Sequence, residues 1–220
     1  MAHGIDTFER LDGDKRERIM DAAAEEFAQH GFHKASVNRM VGSIGIAKGS
    51  LFKYFGTKQG LFEYLFQRAL KHIKAPLKNV RAETEGMDFF LRLRAVSLAV
   101  ADFVAAHPRA YRIYLKMLFQ EDFPMRDTVL RAVRDEFADF LGPMVDHARS
   151  TGELRESLPR TAVIFHVQAL IDRLLQAALV PGMDGGLDIH DREALAARLD
   201  EQLDIIRLGL AREVPPTEQQ

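Results

Sequence analysis

Two short apolar-periodic segments, "VNRMVGSI" and "KGSLFKYF", lie on either side of Gly45, and nothing else in the chain narrows its fold as far. Ser36 can cap the first, whose Val37, Met40, Val41 and Ile44 face inward. Gly45 stands where a sharp reversal between two short helices needs a residue tolerant of positive φ. The second runs from about Lys48 to Phe55, with Leu51, Phe52 and Phe55 as its core face, and Gly56 stops it. Upstream, "DKRERIMDAAAEEFAQHGF" reads as a long helix. Asp14 and Glu17 have capping-box spacing, Ile19, Ala23 and Phe27 form the buried stripe, and Gly31 is the stop. Downstream, Thr57 caps an exit helix carrying Leu61, Phe62, Leu65, Phe66, Ala69 and Ile73. One long helix, two very short ones across a glycine turn and an exit helix are the signature of a helix-turn-helix module in a three-helix core.

The remainder is also helical by its punctuation. Segments are predicted from about Met87 to Ala106, Pro108 to Gln120, Arg126 to Thr151 with a bend at Gly142-Pro143, Arg160 to Val180, and Asp191 to Arg212. Strand signals of period two are absent. The fold class is all-α: an N-terminal three-helix helix-turn-helix domain and a C-terminal helical bundle. The boundaries expected are a flexible arm over residues 1–13, the helix-turn-helix domain over 14–57, a connecting helix over 58–78, a second domain over 79–213 and a disordered tail over 214–220.

Charge separates the two parts. Gly31 to Gly60 holds Lys34, Arg39, Lys48, Lys53 and Lys58 and no acid, five positive charges in a chain of net −2, so the other residues sum to −7. One-signed charge on an acidic body is the footprint of a surface that meets polyphosphate; a solvated face is the alternative, and such faces mix their signs.

The string "ASVNRMVGSIGIAKGSLFKYFGTKQGLF", set after an alanine-rich helix ending "FAQHGF", resembles the TetR-type (tetracycline-repressor-like) transcriptional regulators over residues 15 to about 70. The resemblance implies an N-terminal module that binds double-stranded operator DNA as a homodimer, repression as the default, and a helical second domain for a small effector. On that alignment Lys48, Gly49, Ser50 and Lys53 lie at the start and outer face of the recognition helix. Lysines there can reach guanine acceptors in the major groove, and Gly49 allows close backbone approach. The family pattern places Ser36, Arg39, Tyr54 and Lys58 near backbone phosphates. Ala47 stands where a Ser often caps the recognition helix.

In "RTAVIFHVQALIDRLLQAALV" the apolar residues cover nearly the whole circumference, with Val163, Val167, Leu170 and Leu174 on one stripe. A helix apolar all round is covered on both sides, here by its own bundle and a twin chain. Leu199, Leu203 and Ile206 of the last helix would complete a four-helix interface; a monomer with both helices internal is the alternative. His107, Tyr111, Tyr114, Phe119, His166, Gln168 and Asp172 are polar or aromatic among apolar neighbours and could line a pocket for a hydrophobic or aromatic effector.

Zero cysteines exclude disulfides and thiolate metal sites. There is no HExxH, no P-loop and no GxGxxG after a strand, so no enzyme is expected, and no metal or cofactor. No run of eighteen apolar residues and no secretory leader are read, so the expectation is a cytoplasmic protein with no membrane partner. A helical ligand carrier or scaffold without DNA binding is the competing function, and it has no use for the acid-free segment.

Overall fold

The computed structural model describes residues 2–119, 123, 125–184 and 186–210; the expected tail over 214–220 lies outside them. Among the described residues there are ten helices and no strand. In chain order they are α1 (Ala2–Glu9), α2 (Gly13–Lys34), α3 (Val37–Ile44), α4 (Lys48–Phe55), α5 (Lys58–Glu83), α6 (Phe89–Ala106), α7 (Pro108–Phe119), α8 (Arg126–Ser150), α9 (Arg160–Leu179) and α10 (Arg192–Leu210). They divide into two units, one of Met1–Ala75 with His107–Leu130, the other of Pro76–Ala106 with Arg131–Gln220.

In the first unit the glycine punctuation does what the sequence requires. Gly45 adopts the left-handed conformation (φ 69°, ψ 35°) and its N–H returns to the Val41 carbonyl, closing α3. Gly31 has φ 68°, ψ 178° and breaks the helical path of α2 one turn before its end. Three caps follow. Asp12, not Asp14, caps α2, accepting from the Asp14 N–H at 3.0 Å. Ser36 Oγ accepts from Arg39 N at 3.4 Å at the start of α3, and Thr57 Oγ1 accepts from Gly60 N at 2.9 Å at the start of α5. Ala47 gives α4 no side-chain cap.

The core is aromatic. Phe27 meets Phe62 edge to face at 5.2 Å, and Phe62 and Phe32 both pack on Phe123, at 5.1 and 5.8 Å. Each buried ring contributes on the order of 2–3 kcal/mol by area alone. Two segments depart from expectation. The arm foreseen over residues 1–13 is in part the helix α1, because Phe8 is 0% exposed and packs on Tyr54, Phe55 and Tyr64 at 5.7, 4.8 and 5.3 Å. And α7, expected in the second domain, belongs to the first unit: Ile113 and Met117 join its core, while Arg109 bonds Glu25 and lies 3.3 Å from Asp21 on α2.

In the second unit α6 buries Phe89, Leu93, Val96, Val100 and Val104 and packs against α9 and α10. Asp88 caps α6 through Phe90 N (2.9 Å) and Asp191 caps α10 through Ala194 N (2.9 Å). Arg94 holds Asp200 in a two-pronged pair at 2.6 and 3.0 Å, tying α6 to α10. Gly142 is fixed by space, since a Cβ there would lie 1.7 Å from the Arg160 guanidinium, which pairs with Asp146 at 3.0 Å.

Candidate nucleic-acid interface

α4 is eight residues long and buries Leu51, Tyr54 and Phe55. Successive residues of a helix turn by about 100°, so burying that face turns Lys48, Gly49 and Lys53 outward; all three are exposed and Ser50 is half-buried. Neither lysine pairs with a carboxylate among the described residues; Lys48 Nζ lies 5.8 Å from the Phe52 ring centroid. Nothing stands within 4 Å of a Cβ built on Gly49, so a surface can approach the backbone there. These groups have the reach and donors to read base edges in a major groove.

Of the other four side chains assigned to this surface, Tyr54 is buried, Ser36 and Lys58 are half-buried, and Arg39 is exposed but paired within the module. Ser36 is occupied as the α3 cap. Arg39 binds Glu26, its Nε lying 3.0 and 3.1 Å from the two carboxylate oxygens and its Nη2 also on Oε1, and Nη2 reaches the Lys34 carbonyl at 2.9 Å. Lys58 Nζ donates to the carbonyls of His33 (3.2 Å) and Ala35 (3.1 Å) and sits over the Phe32 ring at 4.7 Å, closing the C-terminal end of α2. Tyr54 is 9% exposed, its ring between Phe8 and Phe55. Of the five cations in the acid-free segment, Lys34, Lys48 and Lys53 are exposed, the last two with no carboxylate partner among the described residues, whereas Arg39 and Lys58 hold the module together.

Glu26 was not foreseen as part of this arrangement, and a Glu inside an alanine-rich helix carries no signal for it. It is 8% exposed, and besides Arg39 it accepts from Ser36 N at 2.8 Å. Burial pushes its carboxyl up, but the hydrogen bonds from Arg39 and Ser36 and the Arg39 charge outweigh that and hold it below the usual carboxylate range. Arg18 adds a second brace, donating from Nη2 to the Ile44 carbonyl at 2.9 Å beside the Gly45 turn.

The residues expected to line a pocket are divided between the units. His107, Tyr111, Tyr114 and Phe119 lie in the first, where Tyr111 is buried against Tyr114 (5.8 Å) and Phe119 is 77% exposed. His166, Gln168 and Asp172 lie in the second; His166 is exposed and bonds the Ala162 carbonyl at 2.9 Å. Burial alone pushes the Asp172 carboxyl up to about 6.

Of the residues expected at a twin-chain contact, Val163, Val167, Leu174, Leu199 and Leu203 are buried within their own unit, and Leu170 and Ile206 are half-buried. Those five thus belong to the core of their own unit, in which α6, α9 and α10 pack together, whereas Leu170 and Ile206 keep part of their surface outside it. The outward apolar residues are Phe165 on α9, 68% exposed, and Ile205 and Leu208 on α10, at 64% and 88%.

Comparison with known proteins bears on the whole arrangement. Residues 19–65 match the family model of bacterial regulatory proteins, tetR family. An HTH-type transcriptional regulator of Staphylococcus aureus (strain USA300) is 24% identical over 146 residues, covering 63% of this chain and 79% of the relative. The crystal structure of a TetR family transcriptional regulator from Chloroflexus aurantiacus superposes with a TM-score of 0.76 at 25% identity, covering 94% of this chain and 98% of that one. The transcriptional regulator FadR from Bacillus subtilis, solved in complex with stearoyl-CoA, shares the fold with a TM-score of 0.67 at 18% identity, over 83% of this chain and 96% of that one.

Proposed function

Because the chain belongs to the tetR family of bacterial regulatory proteins, a class of ligand-responsive, DNA-binding regulators, we propose that it is a homodimeric cytoplasmic repressor released from its operator by a hydrophobic or aromatic effector. The observation that carries the DNA-reading part is the outer face of α4, where Lys48 and Lys53 stand exposed around Gly49 with no carboxylate partner among the described residues.

A single eight-residue helix makes few base contacts, so useful affinity needs two heads held about 34 Å apart to meet successive major grooves. The outward Phe165, Ile205 and Leu208 support a second copy on α9 and α10. α9 has the length and hydropathy of a membrane span, but one face of it packs on α6 and α10 and the other carries exposed His166 and Arg173, which favours a protein partner. An effector that binds better to a head spacing ill-matched to DNA weakens both half-sites together, and a few kcal/mol of differential binding suffices for release. The stearoyl-CoA held by the Bacillus subtilis regulator, a ligand with a long apolar acyl chain, supports a hydrophobic effector here.

The test is selection of duplexes from a random library by the full-length chain, with retention measured against salt. Retention is expected to fall steeply as salt rises. The double variant Lys48→Ala/Lys53→Ala is expected to lose most of the discrimination between the selected duplex and a scrambled one, about tenfold or more per base contact. Full discrimination by that variant would refute the assignment of α4.

A further inference from the structure

α4 cannot hold its own shape. Eight residues are about 12 Å of helix, well below the roughly 12–15 residues at which isolated helices become even marginal, and it has no side-chain cap at its start. Its orientation is whatever its neighbours impose, and one neighbour is a helix the sequence did not announce.

α1 lies directly on the last turn of α4. At Gly4 the contact is backbone on backbone: a Cβ there would stand 2.5 Å from the Lys53 carbonyl oxygen and 2.6 Å from that of Tyr54. Four residues on, Phe8 is fully buried and meets Tyr54, Phe55 and Tyr64. The far end of α1 is tied to two further helices. Arg16 Nη1 on α2 donates to the Glu9 carboxylate at 2.9 Å and to the Glu9 carbonyl at 2.8 Å, and the Tyr64 hydroxyl on α5 donates to the same carboxylate. Burial and that carboxylate push the Tyr64 phenol up to about 12, so it remains a donor at any physiological pH. α1 is thus a strut braced on α2 and α5 whose other end bears on the peptide unit of Lys53, one of the two outward lysines.

We propose that α1 is the positioning element of the reading helix: Gly4 on the Lys53 and Tyr54 carbonyls and Phe8 on the Tyr54 ring set the tilt at which Lys53 meets the base edges. The inference rests on the reading of α4 as the DNA-contacting helix and deepens it. Hydrogen bonds weaken steeply with a few tenths of an ångström and with misalignment, whereas attraction to phosphate charge tolerates such shifts. Displacing α1 therefore removes sequence discrimination first and general DNA affinity last. A role confined to stability would lower both together, through loss of folded protein.

The test uses the full chain, a duplex selected by the wild type and a scrambled duplex of equal length. Gly4→Ala, whose methyl must push α1 and the Lys53–Tyr54 peptide apart, and Phe8→Ala are each expected to weaken binding to the selected duplex about tenfold or more, the scale of a single base contact. Binding to the scrambled duplex and the salt slope stay as in the wild type. Phe8→Leu, which refills most of the space, restores discrimination, and Asp6→Ala on the exposed side of α1 changes nothing. If Phe8→Ala does not fold, Gly4→Ala and Phe8→Leu decide. Wild-type discrimination in Gly4→Ala, or a loss on both duplexes in proportion to unfolding, overturns the role of α1 while leaving the DNA reading intact. A wild type that enriches no duplex overturns the DNA reading itself.

Discussion

Arg39 stands where the family pattern puts a phosphate contact, yet its guanidinium is engaged by Glu26, and the two roles make opposite predictions. Removing the carboxylate with Glu26→Ala strands the Ser36 N–H, which it accepts at 2.8 Å in a site only 8% exposed. A hydrogen bond to a charged acceptor of that kind contributes about 1.5–3 kcal/mol. For a chain of this size, about 2 kcal/mol lowers the melting midpoint by about 4–8 °C. The Glu26 carboxyl is held below the ordinary value of 4.5, so its contribution is present above that value and fades as pH falls through its own lower one. The deficit of Glu26→Ala should therefore be full at neutral pH and shrink on acidification. The companion variant is Arg39→Ala, read by the slope of log affinity against log salt on DNA. If Arg39 serves α3, the slope is unchanged while the melting midpoint falls; deleting a true phosphate ligand would instead reduce the slope by about 0.9. A reduced slope with an undisturbed melt would refute the view that Arg39 is an internal brace.

Two further outcomes concern the second unit. Leu208→Asp, on a side chain 88% exposed, is expected to convert a dimer to a monomer in sedimentation without lowering the stability of the monomer, whereas Leu199→Ala, at a fully buried position, is expected to cost about 2–5 kcal/mol of stability and leave the association intact. Asp172 is raised from 3.8 to about 6 by burial, so its neutral form favours folding below the ordinary range and that benefit is lost as pH rises through 6. Asp172→Asn is therefore expected to melt higher than the wild type near pH 8, by up to about 3 kcal/mol, and to match it near pH 4, as read by thermal denaturation across that range.

The parts of this fold that the sequence discloses are those decided locally. Gly45 and Gly56 each needed only the backbone conformation of one residue, and α3 and α4 end where they were expected to end. Ser36 and Thr57 were legible as caps because a cap is a matter of three residues. What stayed hidden depends on remote partners. α1 carries Ile5 and Phe8 at helical spacing, but eight residues give a weak signal and the pocket that takes Phe8 is built from Tyr54, Phe55 and Tyr64. The same distance effect reassigns Tyr54, whose chemistry suits a phosphate but whose neighbours bury it. α9 shows the other limit: apolar over nearly its whole circumference, it gives little sign from periodicity of which stripe faces inward, and the packing of α6 and α10 turns Val163 and Val167 in and Phe165 out. Nor does anything in "PRAYRIYLKMLF" say that α7 shares a core with α2.

The uncapped brevity of α4 has an evolutionary corollary. With α4 as the proposed reading helix, a geometry lent by its surroundings can be retuned from behind: drift in the strut or in the ring cluster beneath it, away from the outward lysines, would shift the preferred duplex sequence. Comparing the lysines alone across such regulators would then miss much of what distinguishes their targets.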